Sequence, residues 1–401
     1  MNITVIGGGN IGTQFAVHSS DKGHSVKMFT SNPSRFSKHL FIVDKSDNVI
    51  KEGEIVLATS DPHEALHDAE MIMITMPPTM MIPLAQIINE HADPHAVIGF
   101  VPGNGGFEFA FRDCIERGNV LFGIDRVPAI ARLKERGRTV CCSGYKDRLY
   151  VAALPSSHTE ECAALIESIY DIPCVRLPGF MALTLTPSNP ILHTARLMTI
   201  FSDYEPGVTY ESLPLFYEEW DDASSELLLA CDDEIQDICR ALPWFGLEYV
   251  VSEREFYNAD TVEEMTYAIR TATPSVCSDA LDIKGRGLSG LRKRRKQRWQ
   301  RIEQHIKRRS DWREILEERR NRRREENTEG LIPDLHSRYF TADFPYGLSV
   351  IQQIGKIAGV AMPNIDKLIE WYDNIAIIND KLRLSDYGIT DVESLKEFYL
   401  T

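Results

Sequence analysis

Three stretches of this chain carry side chains capable of chemistry. The first, Thr186-Pro187-Ser188-Asn189-Pro190-Ile191-Leu192-His193, reads as a helix start, with Asn189 as N-cap and Pro190 as the first helical residue. His193 then falls in the first turn, its side chain directed back towards the helix N-terminus. A helix N-terminus disfavours an imidazolium. A proton-donating His193 therefore needs a carboxylate partner, and without one it reads as a packed core histidine. The candidate partner lies far along the chain, in Ser337-Arg338-Tyr339-Phe340-Thr341-Ala342-Asp343-Phe344-Pro345-Tyr346-Gly347-Leu348. Arg338 and Asp343 sit there in a dense loop of aromatic and turn residues, ahead of an apolar helix from Ser349 to Val360. An ordinary Arg338–Asp343 salt bridge is the rival reading.

The third stretch opens the chain. Ile3 to Ile6 is a short apolar strand, followed by Gly7-Gly8-Gly9-Asn10-Ile11-Gly12, a helix running to Gly23, and a second strand from His24 to Phe29. The spacing G-x-G-x-x-G at Gly7, Gly9 and Gly12 suits a dinucleotide. Gly7 permits the tight turn, Gly9 admits the pyrophosphate to the backbone, and Gly12 lets the helix pack on the strand. The pyrophosphate rests on the helix N-terminus, at Asn10 and Ile11. A tight turn without a ligand is the rival. After the second strand come Phe29-Thr30-Ser31-Asn32-Pro33-Ser34-Arg35, with no carboxylate to hold ribose hydroxyls. Thr30 and Ser31 can hydrogen-bond a 2′-phosphate and Arg35 can neutralise it, which favours NADP(H) over NAD(H).

Stepping outward, the elements that position these groups alternate. Asn48 to Ser60 reads as a strand pair interrupted by Lys51-Glu52-Gly53. Met71 to Thr75 and Ala96 to Val101 read as buried strands, and a last strand lies near Cys174 to Leu177. Thr75, Met76 and Pro77 follow one strand, Pro102-Gly103-Asn104-Gly105-Gly106 the other. Ligands bind beyond the carboxyl ends of such strands, so Thr75 to Pro78 would face the cofactor and the glycines would allow close approach. Structural turns are the alternative for both.

Composition fits this picture. A chain of 401 residues, 43% hydrophobic and 26% charged, suits two folded domains. No apolar run nears the roughly 18 residues of a membrane span, and the N-terminus carries no signal-peptide pattern, so a cytoplasmic location is expected. Eight cysteines show no C-x-x-C pair and no zinc spacing, which suggests reduced, buried thiols and no metal. The net charge of −15 argues against nucleic acid as the default partner, but it hides an asymmetry. Between Lys284 and Glu326 there are 18 basic and 7 acidic residues, whereas Leu197 to Cys239 holds 12 acids and no Lys or Arg. The basic segment, an insertion at about 286–328, reads as two short charged helices. Trp299, Ile302 and Ile306 line one, and Trp312, Ile315 and Leu316 the other, with Asp311 and Glu314 as a capping box. A solvated arm is its plain reading, nucleic-acid binding the sharper one, and docking on the acidic segment a third. The acidic segment reads as a solvated helical face, part of which could select a cationic amino donor.

The chain resembles the octopine/nopaline (opine) dehydrogenase family. The resemblance rests on the glycine motif, Asn189-Pro190 to His193, the Arg338 to Gly347 run, and Met362-Pro363-Asn364-Ile365-Asp366, in the family's order along nearly the whole chain. It implies an α/β Rossmann domain with a doubly wound, mostly parallel sheet (1–183), then an all-α substrate domain (184–401), with the active site between them. It also implies His193 as general acid/base, Asp343 as its orienting carboxylate and Arg338 as the grip on an α-keto acid. The reaction is reductive condensation of that acid with an amino acid amine through an imine. Thr194 stands where the family often has Pro. Ala342 stands where it often has Glu, which puts an accessory acid role there in doubt. A reductase of the ketopantoate type is the runner-up, separated by its indifference to amines. A non-catalytic NADP-binding regulator with a nucleic-acid-binding arm is another, separated by cofactor binding without turnover. The expected partners are the two small-molecule substrates, with no membrane and with homodimerisation left open.

Overall fold

The computed structural model describes residues 1–244, 246–272, 331–376 and 381–400. The basic insertion, with the two helices expected in it, and Cys277 lie outside the described residues. No helix among the described residues is long and apolar enough to cross a membrane.

The N-terminal half is built on β1 (Asn2–Ile6), β2 (Ser25–Phe29), β3 (His39–Val43), β4 (Val49–Glu54), β5 (Leu57–Thr59), β6 (Met71–Ile74), β7 (Val97–Phe100), β8 (Leu121–Ile124), β9 (Ile130–Glu135), β10 (Thr139–Ser143), β11 (Leu149–Leu154) and β12 (Cys174–Arg176). The main sheet has the order β12-β11-β8-β7-β6-β1-β2-β5. Its strands from β5 to β8 are all parallel, β11 joins antiparallel to β8, and β12 runs parallel to β11. Both faces are covered, so β1 and β6 are almost wholly apolar rather than alternating. Strand order reverses between β1 and β6, which opens a crevice beyond their carboxyl ends. This is the mostly parallel α/β architecture expected, and the regular elements described after β12 are all helices, apart from one isolated bridge between Tyr210 and Leu331.

A second sheet, in the order β4-β3-β10-β9, packs over helix α1 (Asn10–Asp21). It corrects the reading of Asn48 to Ser60. Strand β4 runs unbroken through Lys51, Glu52 and Gly53, and the change of sheet comes after Glu54. Gly53 is there because β4 lies tight against α1: a Cβ on it would come 2.9 Å from Ser20 Cβ and 3.1 Å from the Val17 carbonyl.

The second half packs α2 (Asn189–Ile200), α3 (Asp222–Ala241), α4 (Val262–Ala272), α5 (Ser349–Ile357) and α6 (Pro363–Ile375) into a core continuous with one face of the main sheet. Phe100, Phe180, Ile191 and Phe344 belong to that same core. Helix α2 starts one residue earlier than expected, with Ser188 as N-cap and Asn189 already helical. Pro190 is accommodated because the first N–H groups of a helix have no partner inside it. The acidic segment is not simply a solvated face. Asp232 and Glu234 are buried: Asp232 accepts from the Glu253 backbone N–H at 2.9 Å, and Glu234 caps α6 through the N–H groups of Asn364 and Ile365.

The stretch Tyr339–Leu348, expected as a loop, is a wide helical segment of the π type. Pro345 lacks the N–H that an α-helical ladder needs at that point, and the ladder widens instead. Helix α5 ends at Ile357 rather than Val360, because Gly359 turns to φ +71° and the Val360 N–H closes on the Gly355 carbonyl at 3.0 Å.

Candidate active site

The glycine turn has the geometry that a dinucleotide needs. Gly7 has φ +104°, a conformation natural only to glycine, and a Cβ on Gly12 would come 1.8 Å from the Gly7 carbonyl oxygen. Nothing lies within 4 Å of a Cβ built on Gly9, so the chain there faces open space at the mouth of α1. The Asn10 side chain is occupied otherwise: its Oδ1 accepts from the Leu133 N–H at 2.9 Å and ties the helix start to β9. Its backbone N–H and that of Ile11, in the first turn, have no partner within the helix and suit a pyrophosphate.

The residues at the strand ends divide. Thr75 turns inward rather than towards a ligand, its Oγ1 donating to the Ile6 and Gly7 carbonyls at 3.0 Å each. The Met76 side chain packs on Gly7, and Pro77 is exposed. Gly103 lies against the Gly123 backbone, Gly105 against Pro78, and Gly106 against Leu382 and Val350, so these glycines serve chain packing. Past β2, Thr30 donates its N–H to the Thr59 carbonyl, while Ser31 and Arg35 are exposed. Phe36 covers Gly8.

Helix α2 and the π-type segment pack on each other and bring the second group together. His193 Nδ1 lies 2.8 Å from Asp343 Oδ2, and His193 Nε2 lies 3.0 Å from the Tyr217 hydroxyl. A carboxylate only accepts, so Nδ1 carries a proton and the neutral ring presents Nε2 as acceptor to Tyr217. The imidazole is 2% exposed and stands edge-on to Tyr339, with ring centroids 4.5 Å apart. Burial pushes its pKa down, the Asp343 charge and hydrogen bond push it up, Arg338 pushes it down again, and the balance falls below the ordinary value of 6.5.

Asp343 thus pairs with His193, not with Arg338. Arg338 is exposed at the start of the same segment, its guanidinium 5.6 Å from the Tyr339 ring centroid, and has no ion pair within 4 Å among the described residues. In an α-helix, residues five apart point about 140° away from each other. An i→i+5 ladder instead puts Arg338 and Asp343 on nearly one face. The segment also packs on Pro78–Met80, just past the end of β6, so the His193 group stands beside the cofactor crevice. Thr194 does not disturb the helix: its hydroxyl bonds back to the Pro190 carbonyl at 2.5 Å.

Two residues escaped sequence reasoning. Tyr217 sits in an acidic, aromatic stretch with no motif around it. Arg196, one turn beyond His193 on α2, is fully buried and binds the Phe216 carbonyl at 3.0 Å and the Glu219 carbonyl at 2.5 Å, with Asp221 at 2.8 Å. It therefore holds the loop that presents Tyr217. An arginine immediately before a stretch of twelve acids without Lys or Arg was the available signal.

Comparison with known proteins agrees with this geometry. The model for the NAD/NADP octopine/nopaline dehydrogenase α-helical domain matches residues 176–376, and that for the NAD-dependent glycerol-3-phosphate dehydrogenase N-terminus matches 2–103. The octopine dehydrogenase of Pecten maximus is 25% identical over 398 residues, covering 92% of this chain and 89% of that protein. An uncharacterised protein of Sinorhizobium fredii is 30% identical over 259 residues, covering 60% and 68%. A solved octopine dehydrogenase with NADH and L-arginine superposes with a TM-score of 0.73 at 20% identity, over 98% of this chain and 97% of that one. The glycine turn falls within one matched region and His193 and Asp343 within the other, and the chain belongs to the octopine/nopaline dehydrogenase family of NAD(P)-dependent opine dehydrogenases.

Proposed function

We propose that this opine dehydrogenase condenses an amino acid with an α-keto acid and reduces the resulting imine with NADPH in preference to NADH. Residues 1–183 form the cofactor domain and 184–401 the substrate domain, in a cytoplasmic enzyme. The observation that carries this reading is the buried His193–Asp343 pair beside Arg338, a cation without an ion-pair partner among the described residues.

Arg338 grips the keto-acid carboxylate with two parallel hydrogen bonds and fixes which face of the carbonyl is presented. The amine adds to the carbonyl carbon. One amine proton passes to the carbonyl oxygen, which becomes a hydroxyl, and His193 Nε2 takes the other and gives it to that hydroxyl, so that water leaves as the C=N bond forms. The Asp343 carboxylate holds Nδ1–H throughout and stabilises the imidazolium. A nicotinamide cofactor held on the Gly7–Gly12 turn would supply hydride for the imine carbon, with the nitrogen taking its proton from solvent. The preference for NADPH rests on Thr30, Ser31 and Arg35 at the end of β2, where no carboxylate repels a 2′-phosphate.

The test is cofactor oxidation with pyruvate or 2-oxoglutarate alone, then with pooled amino acids, in parallel for NADPH and NADH. Oxidation that needs the amine and disappears in His193→Ala is the expected result. Oxidation by the keto acid alone would move the chain to the simple reductases, and equal or better use of NADH would overturn the cofactor preference.

A further inference from the structure

A cavity of about 370 Å³ lies beyond β8 and β11, lined among others by Asp125, Arg126, Lys146, Thr186, Val251 and Phe256. Three cations line it, Arg126, Lys146 and Arg148, together with the carboxylates of Asp125 and Asp147, and the first two cations share one aromatic wall. The Arg126 guanidinium lies 3.7 Å from the Phe256 ring centroid and Lys146 Nζ lies 5.3 Å from it, so the two charges are no more than about 9 Å apart, the sum of those distances. Lys146 is half-buried and has no carboxylate within 4 Å among the described residues. Arg126 donates to the Pro187 carbonyl at 3.0 Å and has Glu253 at 3.6 Å. Burial pushes the Glu253 carboxyl up to about 7, so it neutralises Arg126 only partly at neutral pH. Burial also pushes the Lys146 pKa down and Arg126 adds to it, while Asp125 and Asp147 push it up, and the balance falls below the ordinary lysine value. Leu149, Leu177 and Val251 supply an apolar part of the wall, and Tyr150 and Tyr249 complete it.

We propose that this cavity binds a carboxylate carried on a short apolar stem, with the acid between Lys146 and Arg126 and the stem against Phe256 and Val251. Thr186 lines the cavity and Arg126 holds Pro187, immediately before α2, while His193 lies four residues into that helix, about 6 Å along its axis. The acid then has two sources, the distal group of an acidic amine co-substrate or a free dicarboxylic acid. Only the first rests on the opine dehydrogenase reading. The cavity, rather than the acidic Leu197 to Cys239 segment, then sets amine choice, and it favours glutamate-like over arginine-like donors.

The experiment uses the full-length protein and glutarate as probe. Calorimetry is expected to show glutarate binding that weakens at least tenfold in Lys146→Met and returns to within threefold in Lys146→Arg, with NADPH binding as the control for folding. In turnover, the ratio of kcat/KM for glutamate to that for norvaline is expected to fall tenfold or more in Lys146→Met. Glutarate that competes with the amine makes the co-substrate the source. Glutarate that still binds at saturating amine makes it a free acid. Undetectable glutarate binding, or binding and amine preference unchanged in Lys146→Met, would overturn the proposal. Absence of amine-dependent turnover with glutarate binding intact would instead remove the enzymatic reading and leave the carboxylate site standing.

Discussion

The Nδ1–H of His193 has a carboxylate acceptor at 2.8 Å, and that contact opposes both burial and Arg338 in setting the imidazole pKa. Asp343→Asn keeps the shape and removes the charge. Both remaining influences then lower the pKa, so the protonated form is lost at lower pH. The expected outcome is a kcat reduced roughly 100-fold or more, the scale of positioned acid/base catalysis, with the alkaline limb of the kcat–pH profile moved to lower pH. A limb that stays in place would show that Asp343 does not set the proton affinity of His193. Arg338 allows a sharper test. A guanidinium offers a planar fork that an ammonium lacks, so Arg338→Lys is expected to raise KM for the keto acid at least tenfold while the Kd for NADPH, measured by fluorescence titration, stays within twofold. An unchanged KM would place the keto acid elsewhere.

At the scale of elements, the wide segment Tyr339–Leu348 is what brings Arg338 and Asp343 to one face, and Pro345 is what denies the chain an ordinary α-helical ladder there. Pro345→Ala restores an N–H and lets the ladder tighten. The expected result is a folded protein, with unchanged far-ultraviolet circular dichroism and NADPH affinity, whose kcat falls at least tenfold because Asp343 rotates away from His193. Full activity would mean that the surrounding packing, not the proline, sets the register. This element also marks the limit of what the sequence discloses. The glycine turn was legible because its chemistry is local: Gly7, Gly9 and Gly12 act on their own strand and helix. The partnership of His193 with Asp343 across 150 residues was legible only through family resemblance, since no local period encodes it. Phe340 to Tyr346 reads as a loop because aromatic and turn residues obscure a helical period, and β4 reads as broken because Gly53 resembles a turn residue until α1 is seen pressed against it. Tyr217 had no signal of its own, because Arg196 places it through backbone carbonyls, which any residue supplies.

At the scale of the whole molecule, Glu108 joins three regions of the chain. It lies in the short helix Phe107–Ala110 after β7, is fully buried, and accepts from the hydroxyl of Thr184 ahead of α2 and from that of Tyr399 near the C-terminus, the latter at 2.6 Å. Its other oxygen has no partner among the described residues. Burial, only partly countered by those two donors, pushes the carboxyl from 4.5 up to about 7. The native state therefore holds the proton more tightly than the unfolded chain. Stability from this group is complete below about 4.5 and declines as pH rises towards 7, after which the loss is constant. A shift of that size corresponds to roughly 3 kcal/mol. Glu108→Gln keeps an acceptor for Thr184 and Tyr399 but cannot ionise. The variant is thus expected to gain on the wild-type enzyme as pH rises, by up to about 3 kcal/mol between pH 5 and pH 8 in paired urea titrations. A difference between the two proteins that is the same at both pH values would mean that Glu108 ionises in the folded state as readily as in water, and that the junction tolerates its charge.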